Sequence, residues 1–113
     1  MAWKATHRFA RISPGKVRPV VDLIRGRDVE EALNMLKFTP HRGAAFVRKI
    51  LTSAVANADE AQADTESLYV EQAFVDEAPT MKRWRPKDRG RAFPIMKRNS
   101  HITVVVESRN IGG

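Results

Sequence analysis

The chain has 113 residues, a length suited to one domain with a single core, and its 42% hydrophobic content excludes a disordered chain. Twenty Lys and Arg against 13 Asp and Glu give a net charge of +7 and a pI near 10.4, which points to a polyanionic partner, either nucleic acid or an anionic membrane surface. The absence of cysteine excludes a disulfide framework and a thiolate metal site.

Met1 to Arg8 has no apolar core of signal-peptide length, and the longest apolar run is the four residues Ala44 to Val47. The chain is therefore expected to be soluble and intracellular. Trp3 to Arg11 alternates bulky or basic residues with small ones, as a strand does. Ser13-Pro14 supplies an N-cap and a first-turn proline, opening a helix through about Ile24 with Val17, Val20, Val21 and Ile24 on one face. Gly26 closes it. Asp28-Val29-Glu30-Glu31 reads as a capping box for a short helix with Val29, Ala32, Leu33 and Leu36 inside.

Thr39-Pro40 repeats the cap-and-proline signal. The third helix is expected to reach about Gln62, with Phe46, Val47, Ile50, Leu51, Ala54, Val55 and Ala58 on its apolar face. Asp59 to Ser67 reads as a loop. Leu68 to Val75 has strand propensity, with Leu68, Val70 and Phe74 on one side. His101 to Val106 is a second strand with Ile102, Val104 and Val106 inward. The class is α+β, one domain over residues 1–113: three helices packed on a small antiparallel sheet, with a long basic β-hairpin extension over 79–100.

That extension carries the charge. From Lys82 to Arg98 there are eight Lys or Arg and a single acid, Asp88, so this stretch holds the whole net charge and the remaining chain sums to zero. Arg83, Arg85, Lys87, Arg89 and Arg91 fall on odd positions, which in an extended chain makes a one-sided row. Gly90 lies midway between Pro86 and Pro94, marking a tip between two places where ladder bonds are expected to fail. Two arms of about ten residues at roughly 3.3 Å each would project on the order of 30 Å. Such a ribbon is marginal alone and repels itself, and phosphates would relieve both problems. Trp84 and Phe93 suit stacking on unpaired bases. A solvated basic loop is the bland reading, and membrane binding lacks a helical apolar face. Lys16, Arg18, Arg25 and Arg27 form a second basic cluster, to which Trp3, Lys4, Arg8 and Arg11 add. The acidic middle, Asp59 to Glu77, is expected to face solvent or a neighbour.

Several segments together resemble one family. They are Arg11-Ile12-Ser13-Pro14 with Lys16-Val17-Arg18, Asp22-Leu23-Ile24-Arg25-Gly26, and Ser53-Ala54 with Ala56-Asn57-Ala58. Further on come Ala78-Pro79-Thr80, Arg85-Pro86 with Arg89-Gly90-Arg91-Ala92, and Lys97-Arg98 before Ser100-His101-Ile102-Thr103-Val104. In this order they are similar to the bacterial large-subunit ribosomal protein L twenty-two family over nearly the whole chain. The resemblance implies a cytoplasmic 50S component that binds 23S ribosomal RNA, assists assembly, and has no catalytic residue or cofactor. It also implies a hairpin threaded through RNA to the nascent-peptide tunnel. Its tip, Asp88, Arg89, Gly90, Arg91 and Ala92, would line the wall beside another ribosomal protein, L four. Implied partners are 23S RNA, neighbouring ribosomal proteins and the nascent polypeptide, with no membrane or small-molecule substrate. RNA contacts are expected from Arg8, Arg11, Lys16, Arg18, Arg25, Arg27, Lys82, Arg83, Trp84, Arg85, Lys87, Arg89, Arg91, Lys97 and Arg98. Gly15 stands where the family usually has a base, Asn99 replaces the usual threonine, and Asp88 puts an acid near the tip.

Two other readings are weaker. A DNA-bending protein with basic β-arms usually needs two arms from a dimer, whereas this chain has a single late arm. An enzyme would need convergent groups, and His7, His41 and His101 have no metal or triad spacing. Glu30-Glu31 and Asp59-Glu60 are explained by helix ends.

Overall fold

Val17, Val20, Val21 and Ile24 recur at helical spacing, and all four are buried on the inner face of α1, Pro14–Ile24. This is a computed structural model, and it describes residues 2–78, 81–86, 92–97 and 99–108, the segments 81–86 and 92–97 as backbone. Two more helices follow, α2 (Val29–Phe38) and α3 (Arg42–Glu60). The described residues also form five strands: β1 (Ala2–Ala10), β2 (Leu68–Glu77), β3 (Met81–Pro86), β4 (Ala92–Lys97) and β5 (Ser100–Ser108). A single 3₁₀ turn, Thr65–Ser67, leads into β2.

The antiparallel sheet has the order β1-β5-β2, so β5 is central and pairs on both sides. Its inward residues Ile102, Val104 and Val106 are wholly buried. The α3 helix lies across β1 and β5, α1 against β2, and α2 against α3. Gly43 sits at the α1–α3 crossing, where an added Cβ would stand 3.4 Å from the Lys16 carbonyl and the Val17 Cα. Gly26, at φ +82°, turns the chain after α1. Its N–H donates to the Val70 carbonyl at 2.9 Å, and the Val70 N–H donates back to the Arg27 carbonyl at 2.8 Å. The α1–α2 connection thus covers one end of the β2 edge.

The α+β class and the three helices on a small sheet are as expected. Five local expectations are corrected. Ser13 takes the N-cap position without a side-chain bond, and the Lys16 N–H to Ser13 carbonyl bond closes the turn instead. Asp28 makes no side-chain cap bond, because Glu31 is engaged by Arg27 at 2.7 Å while the Asp28 backbone bridges Tyr69. Thr39 does not open α3. Its hydroxyl donates to the Met35 carbonyl at 2.6 Å and finishes α2, and α3 starts at Arg42. Asp59 and Glu60 belong to α3 rather than to a loop.

The fifth correction lies in β2. Val70 pairs with Val106 and Gln72 with Val105, so Glu71 is an extra residue on that strand. The bulge reverses the phase of alternation beyond it. Ala73 and Val75 are therefore buried beside Leu68 and Val70, and Phe74 is 40% exposed instead of inward.

Candidate nucleic-acid interface

The backbone of β3 and β4 forms a two-stranded antiparallel ladder of its own. Its register runs from Met81 opposite Lys97 to Pro86 opposite Ala92. Arg83 and Arg85 take alternate positions on β3, opposite Ile95 and Phe93, as the odd-number spacing requires. Lys87, Asp88, Arg89, Gly90, Arg91 and Arg98 lie outside the described residues. Ala92, counted with the tip in the sequence, is the first residue of β4. The described strands have six residues each, about 20 Å at the usual rise rather than 30 Å.

Pairing does not fail at the prolines. Trp84 opposes Pro94 and Pro86 opposes Ala92, two pairs apart and so in the same class of ladder position. In a two-stranded ribbon every second N–H points away from the partner, and a proline there removes no ladder bond.

The described β2–β5 pairing ends a few residues before this ladder begins. Glu77 opposes Ser100, the Ala78 N–H donates to the Asn99 carbonyl at 3.1 Å, and Met81 then opposes Lys97. Three residues separate Glu77 from Met81, but only two separate Lys97 from Ser100.

The body residues named as RNA contacts are all exposed: Arg8, Arg11, Lys16, Arg18, Arg25 and Arg27. Three of them also hold the fold. Arg25 donates from Nε and Nη2 to the Ala73 carbonyl, at 3.1 and 2.6 Å, and pairs with Asp22 at 2.9 Å. Arg18 Nη2 donates to the Val75 carbonyl at 3.2 Å. Arg27 Nε donates to the Leu23 carbonyl at 2.9 Å. These guanidiniums tie α1 and its C-terminal turn into the body while keeping their charge at the surface. Among the described residues, Arg8, Arg11 and Lys16 make no such side-chain bond to the body, and they stand along β1, after it, and on the first turn of α1.

A family model for ribosomal protein L22p/L17e matches residues 5–107. The chain belongs to the ribosomal protein L22p/L17e family. Relatives named large ribosomal subunit protein uL22 extend over nearly the same length. The one from Finegoldia magna is 51% identical over 98% of this chain and 100% of its own. That from Ligilactobacillus salivarius is 57% identical over 91% and 90%, and that from Caldicellulosiruptor saccharolyticus 54% over 93% and 87%. The L22p/L17e family is structural rather than enzymatic.

Two features of this L22p/L17e member are not evident in the sequence. Arg42 lies over the Phe46 ring at 5.8 Å and His7 tilts against the same ring at 5.7 Å, joining the start of α3 to β1. Arg48 and Lys49 line the same groove. The i, i+4 spacing of Arg42 and Phe46 is the signal that marks this cluster, but it is masked by the apolar stripe of the helix.

The second is on the acidic side. The bulge residue Glu71 shares a hydrogen bond with the Glu107 side chain, and this, with desolvation and the Glu107 charge, holds its carboxyl above the usual value of 4.5. A carboxyl raised in the folded state contributes stability below 4.5 and loses it as pH rises through the folded value, so by pH 7 that contribution is absent. Glu71→Gln is expected to melt above the parent at pH 7, with the advantage shrinking near pH 4. Calorimetry at the two pH values checks this, and a lower melting point at pH 7 contradicts it.

Proposed function

We propose that this chain binds 23S ribosomal RNA as a cytoplasmic ribosomal component, supports large-subunit assembly, and lines the nascent-peptide tunnel with the tip of its hairpin. The carrying observation is the coincidence of charge and ladder: the segment that holds the full net +7 contains β3 and β4, whose described backbone pairs as a two-stranded ladder of its own. A ribbon with this charge repels itself in water and is completed by phosphates converging on both of its sides. The molecule's dimensions, 71 × 25 × 17 Å, support a reading in which residues 79–100 protrude. Residues 88–92 would then meet the tunnel wall and the nascent polypeptide, with neighbouring ribosomal proteins around the body. Arg8, Arg11 and Lys16 would anchor the body to RNA phosphates, with Arg18, Arg25 and Arg27 serving both RNA and fold.

The test is a titration of the protein against 23S RNA and against duplex DNA over a salt series. Strong preference for the RNA and a steep fall in affinity with salt support the reading, since each neutralised phosphate adds about 0.7 to 0.9 to the logarithmic slope. A flat salt response overturns it. Equal affinity for duplex DNA favours the architectural alternative.

A further inference from the structure

One bulky residue of the body sits where its backbone is strained. Phe9 has φ +56°, in the left-handed region that glycine occupies freely and a large side chain rarely does. It lies where the β1–β5 register shifts, between the His7–Ile102 and Ala10–Ser100 pairs. Its N–H donates to His101 Nδ1 at 3.1 Å, and the two rings meet edge to face, 4.7 Å apart at 86°. The aromatic ring is not placed there to fill the core, since Phe9 is 56% exposed.

The ring borders a cleft on the sheet face opposite the helices. Alternation puts Lys4, Thr6, His101 and Thr103 there, because Ile102 and Val104 point inward. Lys4 and Arg8 supply two exposed cations and Asp76 a single acid. The Thr6 and Thr103 hydroxyls, 3.2 Å apart, lie between the two ends. An open aromatic face, two cations within reach of phosphates, and hydroxyls able to give or accept hydrogen bonds are the parts of a single-stranded nucleic-acid site.

We propose that Phe9, braced by His101, is a stacking platform for one unpaired base of ribosomal RNA, with Lys4 and Arg8 on the flanking phosphates. The proposal rests on the RNA-binding reading above and adds a base contact on the body to the phosphate contacts read there. Backbone strain held at an exposed site fits a residue kept for its contact rather than its packing.

Substitution at Phe9 separates contact from structure, because the two roles move stability in opposite directions. Phe9→Gly relieves the backbone and should melt at or above the parent, while its affinity for 23S RNA falls about tenfold. Phe9→Leu keeps the bulk without the aromatic face and should lose affinity to a similar extent. Unchanged affinity in both variants overturns the proposal. So does a Phe9→Gly protein that melts lower than the parent, since the ring would then serve the fold. The parent's salt series distinguishes the two levels. A flat series overturns RNA binding and the platform together, and a steep one with unaffected Phe9 variants overturns the platform alone.

Discussion

Replacing residues 79–98 by an Asn-Gly turn should leave the body folded and remove most of its affinity for 23S RNA. The body already has the ends of a short hairpin where the arm departs. Glu77 opposes Ser100, and Ala78 bonds Asn99 at 3.1 Å, so two turn residues of the type I′ kind would close β2 onto β5. The described core lies in the helices, β1, β2, β5 and the turn at Ile12, from Ala10 to Val106. The deletion removes eight bases and one acid. If all eight meet phosphates, the slope of log affinity against log salt should flatten by about six to seven. Far-UV circular dichroism and melting check the body, and filter binding over a salt series checks the loss. A body that unfolds, or affinity that survives, would show that charge and fold are not divided in this way.

Leu51→Ala should be the most damaging of the simple core truncations. Leu51 is fully buried in α3, between Val47 and Ala54, on the helix that covers β1 and β5. Truncation removes its transfer free energy and leaves a cavity, together about 2–5 kcal/mol. Domains of this size have roughly 5–15 kcal/mol in total, so the loss is a large share. The urea midpoint should fall with little change in slope. Leu23, 39% exposed on α1, is the control. Leu23→Ala should cost within about 0.5 kcal/mol. A shift below about 1 kcal/mol at Leu51 would mean that the α3–sheet interface collapses around the cavity.

The fold was legible where periodicity acts alone. The stripe Val17-Val20-Val21-Ile24 and the alternation Ile102-Val104-Val106 both end at complete burial. Side-chain capping was not legible. Ser13, Asp28 and Thr39 all have the residue types of N-caps, yet Ser13 makes no side-chain cap bond, Arg27 and the Tyr69 bridge engage the groups around Asp28, and the preceding helix takes the Thr39 hydroxyl. The Phe74 misplacement has one cause, the extra residue at Glu71, which no local propensity announces. At the candidate interface, charge and spacing mark out the segment that contains β3 and β4, and Arg8, Arg11 and Lys16 lie at the surface. Phe9 was passed over because an aromatic in an alternating strand reads as packing, and only its backbone angle distinguishes it.

The central position of β5 has a consequence for how the molecule is made. Ala2 pairs with Glu107 and Leu68 with Ser108, so both outer strands wait for the strand that is synthesised after them. At about 5–20 residues per second, β1 exists for roughly 5–20 s before its partner has been added. Throughout that interval α1 and α3 have no complete sheet to cover, and Val17, Val47 and Leu51 lack the layer that buries them. Contacts of such long sequence separation also close slowly. The sheet thus closes only once β5 has been added, and until then the apolar faces of α1 and α3 lack their full cover.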